Sequence, residues 1–324
     1  MSRRVLITGG SGFVGQWLSR LMLEQGATVF GGSIEGRPTH GVLTPSELDA
    51  IRWLPLDVSS AEATRRAVVD SAPEAVVHLA GIAFPPDANA DPLRTYDVNA
   101  LGAMRLLHAL SEAVGGGGGG AAPGLRVLII GTAEQYGPHP NNDYPIKETA
   151  ELRPLTPYAG SKAAQELLAL QAGRSTKLQV ICTRSFNHSG AGHGVEYLLP
   201  ALVRRALPLA KGGGTLSMGN GSPVRDYLHV ADVVSAYALL LQRGQSGEIY
   251  NVCSGHGVAV KELAERVLKR LGISATIVEE PTLVRPSDIP ILIGDNAKLR
   301  AATGWKPQRN IDDIIDDLIH AASR

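Results

Sequence analysis

The run Gly9-Gly10-Ser11-Gly12-Phe13-Val14-Gly15 follows at once on the apolar stretch Arg4–Thr8 (RVLIT). Beyond it, Val14, Leu18, Leu21 and Met22 recur at helical spacing until Gly26. The glycines fit both G-x-G-x-x-G (Gly10, Gly12, Gly15) and G-x-x-G-x-x-G (Gly9, Gly12, Gly15). Glycines at these spacings permit a tight turn and let backbone approach a pyrophosphate, which rests on the positive end of the following helix. With a strand before it and a helix after it, the motif predicts a dinucleotide-binding βαβ opening.

The second strand, 28–32 (TVFGG), ends without the acidic residue that usually holds the adenosine ribose of NAD. Ser33 and Arg37 follow instead and suit a 2′-phosphate, so NADP(H) is the preferred cofactor, with NAD(H) possible if Glu35 swings in. Residues 38–50, with two prolines, read as a loop. A strand over 52–56 ends at Asp57 and Val58, where a carboxylate can cap the turn or meet an adenine amino group. A helix over 60–72 and a strand over 75–79 come next, and Leu79-Ala80-Gly81 places small residues at the carboxyl end of that strand. Successive βαβ units predict an α/β fold, a doubly wound parallel sheet of the Rossmann kind. Residues 91–114 have helical periodicity with Asn99 early in it, and the six glycines 115–120 read as a flexible surface insertion. The strand over 126–131 (RVLIIG) delivers Thr132 and Glu134 at its carboxyl end, where such sheets carry their chemistry.

Tyr158 and Lys162 stand four residues apart on a helix expected over 158–173. Residues at that spacing share one face, so phenol and ammonium can reach one pocket. A tyrosine normally titrates near ~10, and a neighbouring positive charge lowers that value, which would make Tyr158 a proton donor and acceptor. A Tyr–Lys pair alone marks many ordinary helices; the surrounding motifs give this one its meaning.

Composition closes off other classes. Lys+Arg and Asp+Glu both number 31, so no net charge argues for nucleic acid or an anionic membrane. No uncharged apolar run approaches the ~20 residues that span a bilayer, and the run after Arg3-Arg4 is too short for a signal peptide. Cys182 and Cys253 have no metal-like spacing and read as buried core thiols in a reducing compartment. The expectations are a cytoplasmic protein with no metal.

GGSGFVG, Leu79-Ala80-Gly81, Thr132-Ala-Glu134-Gln-Tyr136-Gly and Tyr158-x-x-x-Lys162 together resemble the extended short-chain dehydrogenase/reductases, which act largely on nucleotide-sugars. The resemblance implies that Gly9, Gly12, Phe13, Val14, Gly15, Ser33, Arg37, Asp57, Val58, Leu79, Ala80, Gly81 and Asn99 line the cofactor with Tyr158 and Lys162. It also implies that Thr132, Glu134, Tyr158 and Lys162 are catalytic. In the second half, Thr183-Arg-Ser-Phe-Asn187-His188-Ser-Gly, Leu216-Ser-Met-Gly219-Asn220, Arg225-Asp226-Tyr227, Tyr250-Asn-Val-Cys-Ser-Gly255, Arg285-Pro286-Ser287-Asp288 and Gly304-Trp305-Lys306-Pro307 resemble the GDP-mannose branch. That branch holds a GDP-mannose 4,6-dehydratase and the reductase of its keto product. Dehydratases of the branch tend to carry Gln-Asp where this chain has Phe13-Val14, which implies the reductase. Glu134, where the dehydratase keeps its acid–base carboxylate, implies the alternative.

By the same resemblance the substrate is a GDP-sugar, held by Asn187, Asn220, Arg225, Arg285 and Asp288. Arginines can bind two diphosphate oxygens at once, and Asp288 can accept from a ribose hydroxyl. Asp226 and His229, just before the helix Val230–Arg243, read as capping or structural groups, and His188 as a packed histidine. The nucleotide-binding domain is expected over 1–186 with 226–252 returning to the sheet. A smaller lobe covers 187–225 and 253–310, with an amphipathic helix at Val260–Leu271, and Ile311–Ala322 forms a terminal helix. Family members usually pair as dimers through helices equivalent to 91–114 and 158–173, so a homodimer is expected. A cofactor-binding protein without catalysis is the reading from another class, and the intact Thr132, Tyr158 and Lys162 argue against it.

Overall fold

Alternate residues of β1 (Arg4–Thr8) enter different cores: Val5 and Ile7 join one apolar cluster and Leu6 the other. This is the two-residue period of a strand covered on both faces. The computed structural model describes residues 3–115, 124–140, 143–284 and 289–323. In it β1 is joined by β2 (Thr28–Ser33), β3 (Arg52–Pro55), β4 (Ala75–His78), β5 (Arg126–Thr132), β6 (Gln179–Ser185) and β10 (Ile249–Val252). They form one seven-stranded sheet in the order β10-β6-β5-β4-β1-β2-β3. Every neighbouring pair is parallel. The order reverses between β1 and β4, and a ligand crevice opens at the carboxyl ends of the strands at such a point.

The first core lies under α1 (Phe13–Glu24), α9 (Val230–Arg243) and α11 (Ala297–Thr303), where Leu18, Val233, Tyr237 and Leu299 meet Val5, Val77 and Leu128. The second lies under α3 (Ala61–Ser71), α6 (Gly102–Gly115) and α7 (Pro157–Ser175), where Val68, Leu106, Leu110 and Ala169 cover Leu6, Val76 and Val127. Each such aliphatic side chain, fully buried, contributes about 1.5–3 kcal/mol of transfer free energy. Cys182 and Cys253 are free thiols, 1% and 0% exposed, the buried core groups their contexts predicted.

The rest of the chain builds smaller sheets. β9 (Val224–His229) pairs with β7 (Asn187–Ser189), β11 (Gly257–Ala259) and β13 (Ile291–Leu292), while β8 (Gly214–Met218) pairs with β12 (Ala275–Glu279). A third apolar cluster joins β8 to α8 (Leu198–Ala206), α10 (Val260–Leu271) and α12 (Ile311–Ala322). Of the stretch 226–252, α9 packs on the large sheet and Ile249–Val252 enters it, whereas Val224–His229 belongs to the smaller sheet.

Two expected elements differ. Residues 38–50 are not all loop: α2 (Pro45–Ala50) forms because Thr44 and Glu47 make a capping box and Pro45 stands at the first helical position. The helical stretch 91–114 is interrupted. α4 (Pro85–Ala90) and α5 (Pro92–Tyr96) precede a π-turn at Asp97–Leu101, and α6 follows. Asp91 caps α5 through the Arg94 amide, and Pro92 starts the new helix. The glycines 116–120 lie outside the described residues. Among the described residues no helix is long and apolar enough to cross a membrane, and no cluster of metal-ligating side chains occurs.

Candidate active site

At the crevice between β1 and β4 the glycine turn is packed against neighbouring backbone. Gly9 adopts φ +69°, and a Cβ there would stand 2.9 Å from the Ala80 amide nitrogen. A Cβ on Gly15 would stand 2.3 Å from the Gly9 carbonyl oxygen. No side chain fits either position, which leaves bare backbone and the positive end of α1 facing the crevice, the surface a pyrophosphate needs. The residues present therefore fit a nicotinamide dinucleotide. Gly12, Phe13, Val14, Val58, Leu79, Ala80 and Gly81 all line the cleft with them.

At the adenosine end the hydroxyls of Ser11 and Ser33 lie 2.7 Å apart. Gln16, absent from the sequence reading, holds the loop after β2 over this end. It donates to the carbonyls of Ser11 and His40 and accepts from the Val42 amide. Glu35 and His40 consequently reach the cleft wall. Arg37 does not; its guanidinium pairs with Asp49 at 2.6 Å, and both side chains are exposed. Asp57 lines the cleft but accepts from the Ser59 hydroxyl and amide, and these bonds hold its carboxyl below the ordinary value. Asn99 is fully buried and committed: it accepts from the Ile82 amide and donates to the Ile82 carbonyl and the Ser161 hydroxyl. It fixes the loop after β4 to α7 and stands behind Gly81 of the cleft wall, where a Cβ on Gly81 would come within 2.7 Å of its Oδ1.

The chemical end is built from two segments. β5 ends at Thr132, whose side chain caps the short 3-10 turn Ala133–Tyr136 that carries Glu134. Across the cleft, Thr156 caps α7 by accepting from the Ala159 amide, and Pro157 fills the first position, so Tyr158 emerges in the first turn. Thr132, Glu134, Tyr158 and Lys162 all face the same cleft. Lys162 is 5% exposed and donates from Nζ to the Ile130 carbonyl at 2.9 Å. Burial brings its ammonium down to about 8. Tyr158 differs from expectation. Burial, and after it the Glu134 carboxylate, hold the phenol above its ordinary value, while a hydrogen bond from Thr132 pulls the other way. The Lys162 ammonium is bonded to the strand carbonyl instead of the phenol. The phenol is thus kept protonated.

Asn187, Asn220 and Arg225 line the far half of the cleft. Asn220 accepts from the Ser222 amide and hydroxyl, and Arg225 donates to the Val224 carbonyl. Arg285 and Asp288 lie outside the described residues. Asp226 and His229 are structural as read: Asp226 accepts from Ser254 and Gly255, and His229 caps α9 through the Ala231 amide. His188 bonds the Phe186 carbonyl. A stack absent from the sequence reading walls this half. The His193 ring lies 4.5 Å from Phe13 on one side and 4.3 Å from Tyr197 on the other. Burial takes His193 down to about 3, so the stack stays uncharged. The cleft measures about 1210 Å³. That exceeds the ~300–1,000 Å³ of a pocket for one small ligand and leaves room for a dinucleotide and a second ligand.

Comparison with known proteins agrees with this geometry. The model of the family described as GDP-mannose 4,6 dehydratase matches residues 6–318. The chain belongs to that family. Its members and structural neighbours are extended short-chain dehydrogenase/reductases, so the protein is an NAD(P)-dependent nucleotide-sugar oxidoreductase. Within the family, it is 33% identical over 321 residues to the GDP-6-deoxy-D-mannose reductase of Pseudomonas aeruginosa, covering 98% of this chain and 97% of that one. It is 28% identical to the GDP-6-deoxy-D-talose 4-dehydrogenase of Aggregatibacter actinomycetemcomitans, over 93% of this chain and 91% of that one. The structure of RMD from Pseudomonas aeruginosa complexed with NADPH superposes with a TM-score of 0.81 at 30% identity, each chain covered in full (100%). The NAD complex of Thermus thermophilus UDP-glucose 4-epimerase gives 0.82 at 28% identity, with 98% of each chain covered.

Proposed function

We propose that the protein reduces the C4 ketone of a GDP-4-keto-6-deoxy-hexose, with GDP-4-keto-6-deoxy-mannose as the substrate and NADPH as the reductant. The observation that carries this reading is the full-length 33% identity to GDP-6-deoxy-D-mannose reductase. The site chemistry supports it. A reduction needs a neutral phenol that can donate, and burial with the Glu134 carboxylate keeps Tyr158 in that form. Bound NADPH would supply the hydride. Tyr158 protonates the forming alkoxide, and Thr132 donates a hydrogen bond to the same oxygen. Lys162 holds the nicotinamide ribose and the carbonyl of β5. Asn187, Asn220 and Arg225, with Arg285 and Asp288, hold the nucleoside diphosphate in the smaller lobe of 187–225 and 253–310. The preference for NADPH is supported by the Ser11–Ser33 hydroxyl pair and the likeness to the NADPH complex, while Glu35 on the cleft wall is the acid that would suit NADH. Replacing Tyr158 with Phe is expected to remove most of the turnover and leave NADPH affinity unchanged; turnover near wild type in Tyr158→Phe overturns the mechanism.

A second reading, the 4,6-dehydratase, draws on Glu134, whose carboxylate lies in the cleft close enough to act on the Tyr158 phenol. It would use the cofactor without net consumption.

The protein is also proposed to pair as a homodimer through the face of α5, α6 and α7. Leu93 of α5, Leu101 of the π-turn and Leu167 of α7 are exposed at 85%, 49% and 66%, apolar side chains that a second copy would cover. Sedimentation should give twice the 34.1 kDa chain mass, and a single-chain mass overturns the pairing.

A further inference from the structure

Besides Lys162 on the Ile130 carbonyl, the two segments that carry the reactive groups are joined by the side chain of Gln135. Its Oε1 accepts from the Thr132 amide at 2.9 Å, and its Nε2 donates to Glu166 Oε2 at 3.2 Å. Glu166 sits on α7, four residues after Lys162 and eight after Tyr158, so the three share a face of the helix. Its carboxylate is completed by Arg184 of β6, which donates from Nε at 2.9 Å and from Nη2 at 2.7 Å. Arg184 Nη1 donates to the Glu148 carbonyl, and the guanidinium lies 4.8 Å from the centre of the Tyr136 ring. Gln135, Glu166 and Arg184 are exposed by only 0%, 5% and 4%.

This arrangement is more than stability requires. An ion pair taken out of water is often no better for stability than apolar residues of the same volume. What the polar version supplies is direction: each donor is aimed at a defined acceptor, and Glu166 Oε2 takes both Gln135 and Arg184. The backbone has been cleared for it as well. A Cβ on Gly131 would come within 2.6 Å of Gln135 Oε1 and 2.4 Å of the Thr183 carbonyl.

The geometry points to Gln135, Glu166 and Arg184 as positioning residues that hold Thr132 and Glu134 in register with Tyr158 and Lys162, an assignment that rests on the ketone-reductase reading of the cleft. None of the three touches the reacting atoms; they act through the end of β5 and through α7.

Two substitutions test it in the full chain. Gln135→Met keeps the volume and removes both bonds. Gln135→Glu keeps both bonds while the new carboxyl is protonated, since its carbonyl accepts from Thr132 and its hydroxyl donates to Glu166. Once ionised it faces a second carboxylate and the link opens. Steady-state reduction of GDP-4-keto-6-deoxy-mannose by NADPH would be followed between about pH 6 and pH 9, with amide hydrogen exchange read over 131–137. Gln135→Met should lower kcat about tenfold or more at every pH, with KM and NADPH affinity held within about twofold. Its amides at 131–137 should exchange at least about tenfold faster. Gln135→Glu should match wild type within about threefold near pH 6 and fall at least about tenfold below it near pH 9. Both losses should appear with the folded fraction, read by circular dichroism, unchanged, which sets positioning apart from unfolding. Wild-type kcat in Gln135→Met, or a Gln135→Glu profile parallel to wild type, overturns the assignment. If Gln135→Met does not fold, the Gln135→Glu profile decides alone. If wild type reduces no keto-sugar, the functional reading falls, and unchanged exchange over 131–137 in Gln135→Met, or in Gln135→Glu near pH 9, still overturns the link.

Discussion

Lys162 donates from Nζ to the carbonyl oxygen of Ile130 at 2.9 Å, which ties the helix that carries Tyr158 to the strand that delivers Thr132. The bond is buried, and burial lowers the ammonium to about 8. The charged form is therefore present below that value and lost as pH rises through it. In the wild type, kcat/KM should fall on the alkaline side of about pH 8. Lys162→Met should lack that limb and lose about two orders of magnitude in kcat/KM, the cost of removing one oriented charged donor. An unchanged alkaline limb in Lys162→Met contradicts this role.

Glu134 separates the two readings of the cleft. A ketone reductase needs Tyr158 as its acid and does not need the carboxylate. Glu134→Gln should then keep kcat within about fivefold of wild type on the keto-sugar. Because the carboxylate raises the Tyr158 phenol, the variant should also show its tyrosine limb at lower pH. Loss of nearly all turnover in Glu134→Gln would favour the dehydratase.

Gly15 has no room for a side chain, since a Cβ would stand 2.3 Å from the Gly9 carbonyl. Gly15→Ala must push the turn away from α1. The expected cost is about 1–3 kcal/mol of stability and NADPH binding weaker by about tenfold or more, read by fluorescence titration. Wild-type affinity in that variant would show that the turn does not carry the pyrophosphate.

Much of this was legible in the sequence for a physical reason. RVLIT and RVLIIG are short apolar runs of the kind that form covered strands, and the glycines between a strand and a helix favoured a dinucleotide turn. Val260–Leu271 and Ile311–Ala322 formed as read, because their apolar residues recur on one face. What escaped depends on partners far away along the chain. Arg37 met Asp49, and Asn99 met Ile82 and Ser161. The raised Tyr158 phenol could not be foreseen, because it required knowing how deeply the ring is buried and that Glu134 faces it. Gln135 had a visible signal: Thr132-x-x-Gln135 is a capping-box spacing, and the box is present. Nothing local announced that the same amide would reach Glu166. The His193–Tyr197 stack was hidden likewise, since Phe13, its other neighbour, lies at the opposite end of the cleft-forming sequence.

His78 makes stability depend on acid. It is wholly buried at the end of β4, where the Thr8 hydroxyl accepts from the Ala80 amide and shares a hydrogen bond with His78 Nδ1 at 2.8 Å. Burial first, and the Lys162 charge second, bring its folded value down to about 3 from 6.5. The unfolded chain takes up a proton between those values and the folded chain does not. Stability is thus fully present above about pH 6.5 and is lost as pH falls toward 3. The slope from this residue is at most about 1.4 kcal/mol per pH unit. Urea midpoints should fall between neutral and mildly acidic buffer, and His78→Asn should flatten the fall. An equal slope in wild type and variant contradicts the assignment.

The most direct test of the central claim gives the purified protein NADPH with GDP-4-keto-6-deoxy-mannose in one tube and with GDP-mannose in another. NADPH absorbance would be followed together with the sugar products. The account predicts NADPH loss with the keto-sugar alone, one equivalent for each 6-deoxy-hexose formed. Conversion of GDP-mannose to the keto-sugar with NADPH unchanged would contradict it and make Glu134, rather than the likeness to the reductase, the residue that names the reaction.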